Sequence, residues 1–362
     1  MNATSVPHGR LTIAVDTEPG YGSAPDLWPS VGEYPVYDPM LYHSMTNDVH
    51  RDHAYRQALR PAVAGRRVLD IGTGQDLNWA LVAARSGAAH VVAVEAMERS
   101  HRAAELRLAG LPEADTVDLV PGLSFDFTPR RRAEVCVSEL IGSIASAEGA
   151  LAVMADARAR LLTPDAVVVP VACDTVVGGV SLRSLFPRGV AFARDALPYL
   201  LQVFELNGGP FDIRLAVANP PPDSVVTDAA PVERLPLDGS APLDDTTTAR
   251  LTVQRAGEID GLLCWIRLNT GGGAPIVDSL RQRTSWIPAY LPLFDTAVEV
   301  RPGDSLDIVF QRRTSDDGVH PDYLVHADLT TTTGHVTGSC RSMHHSGPLG
   351  ERAVHRELFG LR

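Results

Sequence analysis

The chain has 362 residues, 44% hydrophobic side chains and a formal charge of −12. Its length predicts two domains rather than one small core, and its acidic balance argues against a nucleic-acid partner. No apolar run approaches 18 residues and no secretory signal opens the sequence, so no membrane partner is expected. Cys136, Cys173, Cys264 and Cys340 form no CxxC pair, which predicts free thiols and a cytoplasmic location.

The first part of the chain predicts an α/β domain over residues 42–165. Residues 1–41 are rich in Gly, Pro, Asp and Tyr without periodicity, and predict an irregular arm or lid. Helical spacing then runs from Tyr42 to Leu59. Residues 66–96 follow the order strand, glycine turn, helix, strand, which is one βαβ unit of a parallel sheet. A strand over 135–138 and a helix over 148–162 extend that sheet.

The second part, residues 166–362, predicts an antiparallel β-barrel or sandwich. Short runs rich in β-branched residues alternate there with Gly, Pro and Asp turns. Residues 185–220 are mixed in character and are expected to form an arm inserted in this domain.

A glycine turn between the first strand and its helix predicts a nucleoside site. In VLDIGTGQD the strand ends at Asp70, and Gly72 and Gly74 allow a tight turn against a ligand. Glu95 ends the next strand, where a carboxylate can accept hydrogen bonds from ribose hydroxyls. The third glycine of a dinucleotide motif is replaced by Leu77, and no basic residue is placed for a pyrophosphate. This pattern favours S-adenosylmethionine over NAD; the alternative is a purely structural glycine turn.

Two glutamates nine residues apart, Glu139 and Glu148, predict a clamp for a planar cation. Glu139 follows a buried strand, Glu148 opens an alanine-rich stretch, and a Gly/Ser loop joins them. Two carboxylates facing one site suit a guanidinium, which offers several N–H donors in a plane. We therefore predict both as catalytic residues. The alternative is a surface pair in which Glu148 caps a helix.

Four motifs in order resemble the protein arginine methyltransferase family. They are MTNDVHRDHAY (Met45–Tyr55), VLDIGTG with the acid Glu95, SELIGSIASAEG with its two glutamates, and TSWIPAYLPL (Thr284–Leu293). The resemblance implies a Rossmann-like class I methyltransferase domain followed by an antiparallel β-barrel, with an inserted arm that pairs subunits head to tail as a homodimer.

The resemblance also implies roles for single residues. Arg51 would pair with the carboxylate of the cofactor, Met45 would contact the methyl-donor region, and Trp286 would wall the acceptor pocket. The predicted cofactor-binding residues are Met45, Arg51, Asp70, Gly72, Gly74, Glu95, Leu123 and Ser124. The predicted substrate-binding residues are Tyr42, Glu139, Glu148, Ser285 and Trp286.

Three positions depart from the family's pattern. Asp76 stands where the family has a third glycine, and Ser124 stands where an acid contacts the adenine amine. Ser285 replaces the histidine of the Thr-His-Trp loop, so the dyad that this histidine forms with an aspartate, here Asp48, is lost. Proton acceptance then falls to Glu148.

The sequence favours free L-arginine as the substrate. It contains arginine but no lysine, which together with its Ala, Pro and Gly content indicates a bacterial gene of high GC content. Some bacterial members that this chain resembles methylate free L-arginine during antibiotic biosynthesis. We therefore expect an S-adenosylmethionine-dependent arginine ω-N-methyltransferase; the alternatives are a peptidyl-arginine methyltransferase and a non-catalytic binding protein.

No metal site is expected. His43, His50, His53 and the pair His344–His345 have no acid or cysteine at ligand spacing along the sequence.

Overall fold

A computed structural model describes residues 3–9, 11–16, 24–36, 39–345 and 347–361. The predicted N-terminal arm therefore lies partly outside the described residues.

The described part of the N-terminal segment is regular rather than irregular. Strands β1 (Ala3–His8) and β2 (Leu11–Asp16) form an antiparallel hairpin, and β3 (Asp26–Pro29) follows. The prediction of an irregular arm is wrong here because β2 alternates between buried and less buried residues, a short period-two signal that the neighbouring Gly and Pro residues obscured.

The helix predicted from Tyr42 is two helices. These are α1 (Pro39–Thr46) and α2 (Val49–Ala62). The helix is interrupted at Asp48, which has an extended backbone. Asp48 caps α2 by accepting a hydrogen bond from the Arg51 backbone N–H at 2.9 Å.

The first domain contains a five-stranded parallel sheet in the order β6-β5-β4-β7-β8. Its strands are β4 (Arg67–Ile71), β5 (His90–Glu95), β6 (Val117–Pro121), β7 (Ala133–Ser138) and β8 (Leu162–Val169). Helices α3 (Asn78–Arg85), α4 (Glu98–Leu108) and α5 (Ala150–Asp156) connect them. Because β8 pairs in parallel with β7, this sheet continues past residue 165, where the sequence predicted its end.

The predicted helix over 148–162 is shorter than expected. Gly149 has a left-handed backbone (φ 76°), so α5 starts at Ala150, and residues 157–161 form a π-helical turn before β8. Glu148 is thereby left in the loop before the helix, where its side chain is free to face a cavity.

The second domain is built of antiparallel sheets. One has the order β11-β9-β14-β16-β10-β3, with β15 on β14; a second has the order β12-β18-β19-β20; and β13 pairs with β17. Their bounds are β9 (Ala172–Val180), β10 (Leu215–Ala218), β11 (Ala230–Pro236), β12 (Asp245–Thr252), β13 (Gly257–Ile259), β14 (Gly261–Asn269), β15 (Val277–Asp278), β16 (Ala289–Pro292), β17 (Val298–Val300), β18 (Ser305–Thr314), β19 (Pro321–Thr331) and β20 (Gly334–Ser342).

The segment predicted as an arm packs against its own chain. It contains α6 (Leu182–Leu185) and α7 (Leu197–Leu206), and its last part is β10 of the large sheet. Tyr199, Leu200, Val203 and Phe204 of α7 are buried in one core with β2, β3 and the C-terminal helix α8 (Ala353–Leu358). This face of α7 is therefore covered within the chain.

The four cysteines are free and buried. Among the described residues, no helix combines the length and the hydrophobicity that a membrane crossing needs.

Candidate active site

The glycine turn after β4 forms one end of a large cavity. Gly72 (φ 74°) and Gly74 (φ 68°) both need the left-handed backbone that glycine adopts without strain. Leu77 also has a left-handed backbone (φ 51°), at the position where the dinucleotide motif has its third glycine. Its side chain is fully buried. The turn therefore forms although the third glycine is missing.

Two acids hold this turn, but only one faces the cavity. Asp70 Oδ2 accepts hydrogen bonds from Thr73 Oγ1 (2.7 Å) and the Ala80 backbone N–H (2.9 Å). Asp70 is fully buried and is not among the residues that line the cavity, so it positions the turn rather than touching a ligand. Glu95 does line the cavity; it accepts from the backbone N–H groups of Gly74 and Met97, each at 2.8 Å.

Arg51 and Glu139 form an ion pair at the middle of the cavity. Arg51 Nη2 donates to Glu139 Oε2 at 2.6 Å, and Arg51 Nη1 donates to the Met45 carbonyl at 2.9 Å. The guanidinium also lies over the ring of Trp79, 5.2 Å from its centroid. Arg51 Nε is buried without a partner among the described residues.

Glu148 lies under the N-terminal segment. A Cβ added to Gly32 would fall 2.1 Å from Glu148 Oε1, so the carboxyl group rests directly against the Gly32 backbone. Gly32 is anchored through its neighbours: Ser30 Oγ donates to Glu33 Oε1 at 2.5 Å, and Glu33 forms a fully buried ion pair with Arg214. The N-terminal segment is therefore a fixed cover over this carboxyl group.

A buried polar network, which the sequence analysis missed, fastens the loop between the two glutamates to the barrel. Ser146 Oγ donates to Glu233 Oε1 at 2.6 Å, and the Ala145 backbone N–H donates to Thr175 Oγ1 at 2.8 Å. Thr175 and Arg312 also donate to Glu233. Thr175, Glu233 and Arg312 lie on β9, β11 and β18, far from the glutamate loop in the sequence. No neighbouring sequence pattern marks them, so only the fold brings them to this loop.

The Thr284–Trp286 loop reaches the same site. Trp286 Nε1 donates to the Ile141 carbonyl at 2.7 Å, which ties this loop to the glutamate loop. Asp48 Oδ2 accepts from the Ser285 backbone N–H (2.7 Å) and from Ser285 Oγ (3.1 Å). Asp48 thus holds the loop through serine, but no imidazole stands at this position.

Most of the predicted residues line one cavity of about 500 Å³, a volume usual for small-molecule sites. They are Tyr42, Met45, Arg51, Gly72, Gly74, Glu95, Leu123, Ser124, Glu139, Glu148, Ser285 and Trp286. Tyr42 was predicted to contact substrate but lies at the glycine-turn end. Its hydroxyl is 2.6 Å from Ser100 Oγ, and its ring faces Gly74.

The acids of the cavity have perturbed pKa values. Burial raises the pKa of Glu148 well above its usual range, and the charges of Glu139 and Glu33 raise it further. Burial also raises the pKa of Glu139, against the opposing effect of Arg51. Burial raises the pKa of Glu95, although backbone hydrogen bonds, those from Met97 and Gly74 above all, lower it. Arg51 offsets the charge of only one of these two buried acids, so the second charge is unfavourable without another cation and the site is suited to a cationic guest.

A histidine cluster lies beside the cavity. Asp317, His320 and His344 bring their polar atoms within 4.8 Å of one another. His345 pairs with Asp316 at 2.7 Å. His344 and His345 therefore do have acids beside them, contrary to the prediction from the sequence, because Asp316 and Asp317 lie on a different hairpin.

Comparisons with known proteins identify the relatives of the chain. No family model matches it. It is 28% identical over 274 residues to the arginine N(omega)-methyltransferase of Streptomyces achromogenes subsp. streptozoticus, covering 74% of each chain. It is 34% identical over 140 residues to protein arginine N-methyltransferase 7 of Drosophila melanogaster, a match that covers 36% of this chain and 20% of that one.

Solved structures share the fold. The Trypanosoma brucei PRMT1 enzyme-prozyme heterotetrameric complex with AdoHcy has a TM-score of 0.66 at 19% identity, covering 84% of this chain and 98% of that one. Arabidopsis thaliana protein arginine methyltransferase 10 has a TM-score of 0.67 at 16% identity, covering 83% and 97%. The predicted resemblance to the arginine methyltransferases is confirmed, as is the predicted Rossmann-like domain with its β-barrel.

Proposed function

We propose that this chain transfers a methyl group from S-adenosylmethionine to a terminal guanidino nitrogen of arginine. The observation that carries the proposal is that one cavity is lined both by the glycine turn with Glu95 and by two buried acids, Glu139 and Glu148. The names of the relatives support the same chemistry.

The residues present fit S-adenosylmethionine. Each Glu95 oxygen accepts one backbone N–H and keeps a lone pair for a ribose hydroxyl. Arg51 is the cation we assign to the amino-acid carboxylate, since it lines the cavity beside Met45. Leu123 and Ser124 also line the cavity, in the loop that follows the Gly122–Glu95 backbone hydrogen bond, and would face the adenine. When bound, the cofactor supplies an electrophilic methyl group on a sulfonium.

The acids would prepare the acceptor nitrogen. A guanidinium is a poor nucleophile because its lone pairs are delocalised. Glu139 and Glu148, by binding two of its nitrogens, draw positive charge toward them and leave more lone-pair character on the third. Holding that nitrogen in line with the methyl group provides the positional advantage, which reaches about 7–11 kcal/mol in oriented systems. Glu148 then accepts the released proton, a role that suits its raised pKa.

Free L-arginine is the substrate we propose. The anchored segment at Val31 and Gly32 and the turn that carries Val319 both line the cavity, so the acceptor end is covered from two sides. One relative is named for arginine rather than for protein arginine. The test is mass spectrometry of products from L-arginine and from an arginine peptide, each with labelled cofactor. Methylation of the peptide alone would favour the peptidyl-arginine alternative.

The non-catalytic alternative makes a different prediction. A binding protein with a defective turn should bind S-adenosylmethionine poorly, and neither acceptor should be methylated. Isothermal titration with the cofactor separates this case from an enzyme whose acceptor is still unidentified, because the latter retains cofactor binding.

The pH dependence should report the ionisation of the acceptor acids. Burial and Glu139 raise the pKa of Glu148, so below that pKa Glu148 is protonated and cannot neutralise a guanidinium. We expect kcat/KM for L-arginine to increase with pH along an acid limb. The midpoint of this limb should lie above the usual pKa of a glutamate, which is about 4.3. Initial rates at saturating cofactor measure it. A flat profile down to about pH 5 would contradict the assignment.

Replacing Glu95 with glutamine should weaken cofactor binding. Glutamine has one acceptor oxygen, so the two backbone donors and the ribose hydroxyls can no longer all be satisfied. We expect the Kd for S-adenosylhomocysteine to increase roughly 10- to 100-fold, the cost of lost charge-assisted hydrogen bonds. Glu98→Gln is the matched control, since Glu98 is exposed and pairs only with Arg102 among the described residues. Equal affinities in both variants would argue against a ribose role.

We also propose a head-to-tail homodimer, a cytoplasmic location and a role in antibiotic biosynthesis. Residues 185–220 are the segment expected to make the dimer contact, and Leu206 there is 58% exposed. Four free buried cysteines suit a reducing compartment. Light scattering tests the dimer; a monomer at micromolar concentration would remove that part of the proposal.

A further inference from the structure

The turn between β18 and β19 brings an unassigned acid–imidazole pair to the wall of the cavity. Asp317 and His320 both line it, as does Val319. The turn packs on the backbone that follows Glu148: a Cβ added to Gly149 would lie 2.6 Å from Val319 Cγ1 and 3.6 Å from His320 Cδ2. This pair therefore lies close to the acceptor end of the cavity.

Asp317 fixes the orientation of His320. Its Oδ1 accepts from Ser315 Oγ (2.8 Å) and from the backbone N–H groups of Val319 (2.8 Å) and His320 (2.9 Å). Its Oδ2 is 2.5 Å from His320 Nδ1. With Nδ1 held by an aspartate, the imidazolium has Nε2–H left to donate to another group.

The charges of the cavity single out His320. Among the described residues that line it, the side chains able to carry positive charge are Arg51 and His320. Arg51 is bound to Glu139 and is assigned to the carboxylate of the cofactor by the proposed function. A free amino acid brings a second carboxylate, and of these two side chains His320 remains for it.

We propose that His320 binds the α-carboxylate of free L-arginine, with Asp317 as its positioning residue. This inference rests on the proposed function. An extended arginine side chain places its α-carbon roughly 6 Å from the guanidinium carbon, because about five bonds separate them. His320 lines the cavity beside the backbone of Gly149, the residue after Glu148. We therefore place the α-carboxylate of the bound arginine at His320. The pair would thus distinguish a free amino acid from an arginine within a peptide.

A metal ion is a poorer occupant of the same cluster. The rings of His320 and His344 are stacked, with centroids 4.1 Å apart and planes at 7°. Ring-nitrogen lone pairs lie in the ring plane, so two stacked rings do not both point at one ion. His344 Nε2 is also 3.9 Å from Asp317 Oδ2, and burial lowers the pKa of His344 to about 3. We therefore assign His344 to packing against His320.

Agmatine provides the test, because it is arginine without the α-carboxylate. The wild-type enzyme should have a higher kcat/KM for L-arginine than for agmatine. In His320→Ala that ratio should fall by roughly 10- to 100-fold, the usual effect of losing one charge-assisted hydrogen bond. Asp317→Asn should lower the ratio in the same direction, through KM for L-arginine rather than kcat. His345→Gln is the matched control, since His345 contacts His344 edge-on but does not line the cavity.

Each outcome has one meaning. If wild-type enzyme methylates L-arginine but the ratio is unchanged in His320→Ala, the carboxylate assignment is wrong and the proposed function stands. If wild-type enzyme methylates neither compound, the proposed function fails first. Cofactor affinity, measured on the same variants by calorimetry, should stay within about 3-fold of wild type; a larger change would indicate a structural role and overturn the proposal.

Discussion

Replacing Glu148 with glutamine should reduce methyl transfer to L-arginine by about 1,000-fold or more. Glutamine keeps the shape but removes the negative charge that the guanidinium needs, and it cannot accept the released proton. Losing one electrostatic contact in a catalytic site costs about 100- to 1,000-fold, and losing proton acceptance adds to that. Single-turnover rates at saturating cofactor measure the loss.

Two controls test whether the loss of activity is specific to the acid at position 148. Glu299→Gln changes an exposed glutamate on β17 and should leave the rate unchanged. The affinity of Glu148→Gln for S-adenosylhomocysteine should also stay near wild type, because Glu95 and Arg51 remain. A variant that still methylates within about 10-fold of wild type would refute the mechanism proposed for the two acids.

The melting temperature of Glu148→Gln should be slightly higher than that of the wild type. In the cofactor-free and substrate-free protein, Glu148 is a buried acid beside Glu139 and Glu33, which raises its pKa. Its ionised form therefore opposes folding at pH values above the ordinary glutamate pKa, and glutamine removes that cost. A site that stabilises the bound cation destabilises the empty protein.

The sequence predicted the features that depend on local spacing. The glycine turn, Glu95 and the nine-residue separation of Glu139 and Glu148 each lie within one strand–loop unit, so the chain order indicates their relative positions. In a parallel sheet the loops that follow the strands lie at one edge of the sheet. These residues therefore line one cavity.

The features that the sequence did not predict depend on distant contacts. Glu233 holds the glutamate loop from a barrel strand, and His320 reaches the cavity from a hairpin about 170 residues after Glu148. Nothing near either residue in the chain marks it. Tyr42 was misplaced for a related reason: helical spacing predicts its helix, but the position of that helix on the glycine turn comes from tertiary packing.

Replacing Gly32 with alanine should reduce kcat/KM for L-arginine by about 100-fold with little additional loss of stability beyond backbone strain. The added Cβ would lie 2.1 Å from Glu148 Oε1, so one of the two groups must move. A carboxyl group at the end of a flexible side chain moves more readily than the backbone anchored by Ser30 and Glu33. Folding therefore tolerates the change, whereas the acceptor loses its position relative to the methyl group.

Gly65→Ala is the matched control for this variant. Gly65 also has a left-handed backbone, with φ 69° against 92° for Gly32, but a Cβ there would meet nothing within 4 Å. Both variants carry the strain of an alanine in that conformation, about 1 kcal/mol each, so their melting temperatures should fall alike. Only Gly32→Ala should lose activity. If kcat/KM were the same in Gly32→Ala and Gly65→Ala, backbone strain alone would account for the effect of both substitutions. The position of Glu148 under the N-terminal segment would then not matter for catalysis.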